Sequence, residues 1–272
     1  MDAPTGRFAD DLLGPADPPP VAVINPDSAV PLVIHCDHGG NAIPAALKSL
    51  GLTDDALARH IAWDIGAAAV AERLARRIGA PAVLARYSRL LVDPNRAAGD
   101  PEMIPAISDG IAIPGNAHLS DAAIAARLRA AYWPYHQAID AQIGRLRRRG
   151  VIPLVVSVHS FTPALLGSAA ASARPWHVGV MFDRDERLSR ALIAGLRARG
   201  GLVVGENQPY SGITHGYCLK AHGLAQGLPH AQIEIRQDLI CTAAGQGWWA
   251  GVLAEVLRPI LADDDLRAIM HA

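Results

Sequence analysis

Short apolar runs alternate along the chain with longer stretches whose apolar positions recur every three or four residues. The first spacing is that of buried strands, the second that of one-sided helices. Residues 31–36 form a branched apolar run that ends at the turn-formers Asp37, Gly39, Gly40 and Asn41. Thr53 then reads as the N-cap of a helix running to Ile78. Asp54 and Asp55 sit in its first turn, Arg76 and Arg77 in its last, and Gly79 stops it, the charge order that a helix dipole favours. Further strands are expected at 81–87, 152–158, 177–182, 202–204 and 231–236. Helices are expected at 184–199 and 243–261, and from Ser120 to about Gly150, where Pro134 should kink or break the pattern. Residues 93–115 are rich in turn-formers.

Strands alternating with helices of this length predict an α/β fold. The expected form is a three-layer sandwich: a mixed, mostly parallel sheet with helices on both faces. Neither an internal repeat nor a long linker divides the chain. Residues 21–272 therefore read as one domain behind a loose lead-in, residues 1–20.

Composition narrows the partners. Half of the 272 residues are hydrophobic and 19% are charged, enough to build a sizeable core. Lys plus Arg is 25 against 26 for Asp plus Glu, a net charge of -1. That balance gives no electrostatic footprint for nucleic acid or an anionic membrane, and a small-molecule partner is expected. Oligomeric state stays open. The cysteines are three, Cys36, Cys218 and Cys241. An odd count without a Cys-x-x-Cys pair argues against a disulfide framework and against a structural cysteine–zinc site, and fits a reducing cytoplasm. The first 20 residues carry early acids and prolines and do not read as a signal peptide. No apolar run approaches the ~20 residues of a membrane span.

In open α/β sheets, ligands bind beyond the carboxyl ends of the strands. Of the 11 histidines, His38 falls just past the first long strand and His159 just past the one at 152–158, so the two should meet at one sheet edge. Two such imidazoles suit zinc, and a catalytic zinc site commonly has a third protein ligand. Asp64, a lone carboxylate in an apolar helical segment, is the candidate, since burying its charge is costly unless it is paired or metal-bound. His60, one helical turn earlier, is the substitute ligand or a partner of that carboxylate. Glu234 lies mid-strand between Ile233 and Ile235. It reads either as a proton shuttle facing the metal or as one of a solvent-facing pair with Arg236 on an edge strand.

Ordered blocks sharpen this reading. They are Cys36–Asp37–His38 with Asn41 and Pro44, Trp63–Asp64, the run from Ser88 to Arg96, Tyr135–His136, the run from Val158 to Phe161, Asn207 to Gly212, and Gln232 to Ile240. Together they resemble the N-formylglutamate amidohydrolase family, which is similar in fold to zinc-dependent exopeptidases and to muropeptide amidases. The resemblance implies a metal held by two histidines and a carboxylate, with a late glutamate as proton shuttle. Those roles fall on His38, Asp64, His159 and Glu234. Zinc is the expected ion, although such a ligand set also accepts iron, cobalt, manganese or nickel.

The resemblance also implies an N-acylated acidic amino acid as substrate, most directly N-formyl-L-glutamate, and therefore cations that bind carboxylate. Arg89, Arg96 and Arg236 are the candidates, with Arg89 or Arg96 alternatively holding the turn through Asp93. Asn95, Ser160, Asn207, Tyr210 and His222 are candidate polar contacts. His118 and His136 read as structural, and Arg147 to Arg149 as a solvated helix end. Glu206 to Tyr210 departs from the spelling expected of the histidine-degrading enzyme, so another N-acyl amino acid or a small peptide is the alternative substrate. A non-catalytic small-molecule binder on the same scaffold is the remaining alternative.

Overall fold

The computed structural model describes residues 12–164 and 174–270. In chain order the elements are β1 (Val21–Ile24), β2 (Leu32–Cys36), α1 (Asp54–Ala58), α2 (Ala67–Ile78), β3 (Ala82–Ala85), β4 (Ile107–Ser108), β5 (Ile111–Ala112) and α3 (Asp121–Arg127). There follow α4 (Trp133–Arg148), β6 (Leu154–Phe161), β7 (Val178–Met181), α5 (Arg187–Ala198), β8 (Val204–Glu206), β9 (His230–Arg236) and α6 (Ala243–Leu261).

Seven of the described strands form one sheet in the order β1-β3-β2-β6-β9-β7-β8. β3, β2, β6 and β9 are mutually parallel, whereas β1 and the β7–β8 pair run against them. This is the expected mixed, mostly parallel sheet. Strand alternation divides its side chains between two cores. Leu32, Ile34, Val156, Val158, Ile233 and Ile235 pack with α2, α5 and α6 on one face. Val33, Val83 and Val155 pack with Tyr135, Ile139, Ile143 and Leu146 of α4 on the other. The layers are thus helix, sheet, helix. No helix among the described residues is long and apolar enough to cross a membrane.

Three local features depart from the sequence reading, and the first shapes the site. The single helix expected from Thr53 to Ile78 is broken. Thr53 does cap α1, its hydroxyl accepting from the Ala56 amide at 3.3 Å, but residues 59–66 are irregular before α2 begins. Gly66 turns the chain at φ +82°, and a Cβ there would lie 2.2 Å from the Ile240 carbonyl oxygen. Only glycine permits both the left-handed turn and that approach. Asp64 therefore sits in a loop, and the helical spacing proposed between His60 and Asp64 does not exist.

The second departure is at Pro134, where the helical pattern from Ser120 opens into a wide turn, Leu128–Tyr132, before α4 restarts. Proline lacks the amide that would bond back one turn. The third is that β1 and the small β4–β5 hairpin were not expected. Arg147 to Arg149 are exposed, as a solvated helix end should be. The lead-in is described from Leu12 onward, and there it is fastened to the domain: Tyr87 donates to the Pro18 carbonyl at 2.7 Å and the Ala45 amide to Asp17 at 2.9 Å. Residues 1–11 lie outside the described residues.

Candidate active site

The sheet carries its polar side chains on the α4 side, toward the carboxyl ends of the parallel strands. His159 lies within β6 rather than past it, and its Cα partner on β9 is Glu234. β9 is flanked by β6 and β7, so Glu234 is on an interior strand and 4% exposed. The edge-strand alternative for Glu234 is excluded. His38 follows β2 and is also buried. The broken helix brings in Asp64, whose amide donates to the His38 carbonyl at 3.0 Å.

His38, Asp64 and His159 thus offer ligand atoms within 4.8 Å of one another, all buried. Asp64 Oδ2 lies 2.7 Å from His159 Nδ1 and 3.3 Å from His38 Nδ1. The far nitrogens face other carboxylates. His38 Nε2 donates to Asp93 Oδ1 at 2.8 Å and His159 Nε2 to Asp37 Oδ2 at 2.9 Å. A carboxylate only accepts, so each Nε2 carries a proton, and each Nδ1, which faces the Asp64 carboxylate, either carries a second proton or gives its lone pair to a cation that takes that proton's place. Three electron-pair donors converging in the interior need a proton or a cation between them.

The charges agree with the geometry. Burial alone would raise the pKa of Asp64, but His38 and His159 outweigh it and hold the carboxyl far below its usual range. Burial likewise opposes ionisation of Asp37, yet His35 and His159 pull its pKa well down. Burial works against charge at His159, and Asp37 and Asp64 nevertheless lift its pKa well above the ordinary value. Asp93 is held low by Arg89 and His38 against the opposing effect of burial. Three buried carboxylates thus face one guanidinium and two imidazoles whose protonation they favour, and a divalent cation can replace the protons held between Asp64 and the two rings. Carboxylates behind the histidines are also how proteins orient imidazole ligands to a metal.

Glu234 behaves oppositely. Burial pushes its pKa up to about 7, with His159 drawing it down and Asp64 adding to the rise. The Gln232 side-chain amide donates to Glu234 Oε1 at 2.7 Å, holding the carboxyl in place.

The Ser88–Arg96 run forms one wall. Ser88 donates to the Ala62 carbonyl at 2.8 Å, and the Arg89 amide to the same oxygen at 3.1 Å. Arg89 donates to Asp93 Oδ2 at 2.8 Å and lies 3.7 Å from Asp64. The turn-holding role weighed for Arg89 is thus present. Arg96 pairs at 2.6 Å with Glu102.

The resulting cavity, of about 240 Å³, is lined by the His38, Asp64, His159 and Glu234 set and by Arg89, Asn95, Arg96, Ser160 and Tyr210. His60 also reaches it, but stands 3.7 Å from Asp109. Three candidate contacts lie outside the lining. Asn207 spends its side-chain oxygen accepting the Phe182 and Gly212 amides at 2.9 and 3.1 Å. Arg236 grips Asp238 at 2.8 Å. His222 is buried beside His136, and His118 is exposed.

Sequence reasoning missed Asp37 and Asp93 as partners of the histidines, and Gln232 and His215 in the lining. Asp37 adjoins His38 in sequence, and that was the available signal for it; Asp93 lies in a run without a histidine, 55 residues from its partner His38, and had none. Gln232 could have been found by its two-residue spacing from Glu234 on a strand.

Comparison with known proteins follows the same line. A gene product of Agrobacterium tumefaciens of known crystal structure is 35% identical, over 93% of this chain and 99% of its own, with a TM-score of 0.86. The N-formylglutamate amidohydrolase of Ralstonia eutropha is 22% identical over 90% of this chain and 97% of its own, with a TM-score of 0.68, a likeness of fold. No protein in the curated set matches the chain. The model of the N-formylglutamate amidohydrolase family matches residues 30–241, and the chain belongs to that family.

Proposed function

We propose that this protein is a metal-dependent amidohydrolase that cleaves N-formyl-L-glutamate to formate and L-glutamate. The observation that carries the reading is the convergence of His38 Nδ1, His159 Nδ1 and Asp64 Oδ2 beside Glu234 in one cavity. The donor set fits a divalent ion, zinc being the simplest, with His38, Asp64 and His159 as ligands. What such an ion supplies when bound is Lewis acidity, which polarises a carbonyl and makes water a better nucleophile at neutral pH.

The protein's own groups do the rest. Glu234, with a pKa near the working range, takes a proton from the attacking water as its oxygen bonds to the formyl carbon. As the carbon–nitrogen bond breaks, Glu234 returns that proton to the leaving nitrogen. Gln232 keeps the carboxyl aimed. Asp37 and Asp93 hold the two imidazoles in their ligand tautomer. Arg96, half-exposed at the cavity wall, and Arg89 are the cations available to substrate carboxylates.

The test is metal analysis of the purified protein together with formate release from N-formyl-L-glutamate, before and after chelation. Chelator-sensitive formate release supports the reading. Bound metal without formate release moves the substrate to another N-acyl amino acid or small peptide. A preparation that neither takes up metal nor hydrolyses any N-acyl amino acid overturns the enzyme assignment.

A further inference from the structure

Beside the Asp93–Pro94–Asn95 turn, outside the cavity lining, His136, Cys218 and His222 meet in the interior. Their ligand atoms lie within 4.8 Å of one another and all three residues are buried. Each comes from a helical pair at a spacing of four. His136 precedes Asp140 on α4, and Cys218 precedes His222 across the wide turn Leu219–Gly223. That spacing puts both members of a pair on one helix face, as in helical metal motifs. Both segments also contain or adjoin a widened turn, a distortion frequent at functional sites.

The hydrogen bonds repeat the pattern of the active site. His222 Nδ1 donates to Asp140 Oδ1 at 2.8 Å, so its Nε2 lone pair faces His136 Nδ1, also at 2.8 Å. The Cys218 thiol donates to the Pro94 carbonyl at 3.2 Å and also faces the Asp37 carboxylate. One ring nitrogen of the cluster is left over: His136 Nε2 is buried without a partner, as is Nε2 of the neighbouring His35. Buried polar atoms without partners are exceptions that call for an ion or water.

We propose that His136, Cys218 and His222 form a second metal site, for a zinc-like divalent ion. Two imidazoles and a thiolate are a borderline-to-soft donor set that selects zinc or cobalt over magnesium or calcium. Binding shifts the proton between the two imidazoles from His136 Nδ1 to its own Nε2 and releases the Cys218 thiol proton to solvent. The site is structural. It ties α4 to the Cys218 segment, whose amide donates to Asn95 Oδ1 at 2.9 Å, and so braces the turn from which Asp93 holds His38. The absence of a Cys-x-x-Cys pair hid it, because its ligands come from two helical segments more than 80 residues apart.

The test is a cobalt(II) titration of the chelator-stripped full chain, followed by absorbance and metal counting. The expected result is two equivalents and a near-ultraviolet thiolate-to-cobalt charge-transfer band. His38→Ala should lower the count by one and keep the band, while Cys218→Ser should abolish it. His222→Gln should also abolish it, and serves if Cys218→Ser does not fold. A wild-type protein without the band, or a band that survives Cys218→Ser or His222→Gln, overturns the proposal.

Discussion

His159 and Glu234 are register partners on the adjacent parallel strands β6 and β9, so an imidazole and a carboxyl enter one cavity from one face of the sheet. Pairing has a period of two, and a slip of one residue would send either side chain into the opposite core. The apolar neighbours Val158, Ile233 and Ile235 pack there and fix the register that sets the chemistry.

Glu234→Gln keeps the shape and removes the base. Turnover of N-formyl-L-glutamate should fall by about 10²–10⁴ with metal content unchanged. Formate release and metal analysis on one preparation check both. Full activity in a metal-replete variant would take Glu234 out of the reaction.

The same carboxyl should leave a mark on stability. In metal-free protein burial raises its pKa from 4.5 to about 7. Between those values the native state holds a proton that the unfolded chain has lost. The favourable contribution is therefore complete below about pH 4.5 and lost as pH rises through about 7. The loss amounts to about 3 kcal/mol. Urea unfolding at pH 5 and pH 8 should show metal-free Glu234→Gln gaining on wild type by that amount; a gap independent of pH would contradict it.

Asp37→Asn and Asp93→Asn each release a ligand histidine from its carboxylate. Metal affinity at the His38–Asp64–His159 site should drop about 10–100-fold. Competition with a chelator of known affinity measures it, and unchanged affinity would mean the carboxylates do not orient the rings.

Arg96 pairs with Glu102 at the cavity wall and must exchange that partner to bind a substrate carboxylate. Arg96→Met should lower kcat/KM for N-formyl-L-glutamate about 10–100-fold, the worth of a charged hydrogen bond. The loss should be much smaller for N-formyl-L-methionine, which lacks the side-chain carboxylate. Equal losses on both would assign Arg96 to the backbone carboxylate or to structure.

Much of this protein was determined locally. The apolar run of 32–36, the alternation of 231–235, the Thr53 and Thr242 caps, the acids in the first turn of α1 and the arginines in the last turn of α2 follow from periods and capping chemistry that a short window contains. His38 just past β2 was legible for the same reason, and His159 near the carboxyl end of β6 was too, although it lies within the strand rather than past it. Only the tertiary structure decided which polar groups meet. It broke the helix at Gly66 to deliver Asp64, sent Arg236 to Asp238 and Asn207 to backbone amides, and withdrew His222 from the cavity toward His136. It also set Asp37 against His159 across 122 residues. Such pairs depend on strand register and on which loops pack together, and no local propensity encodes the distance between residues that far apart in the chain.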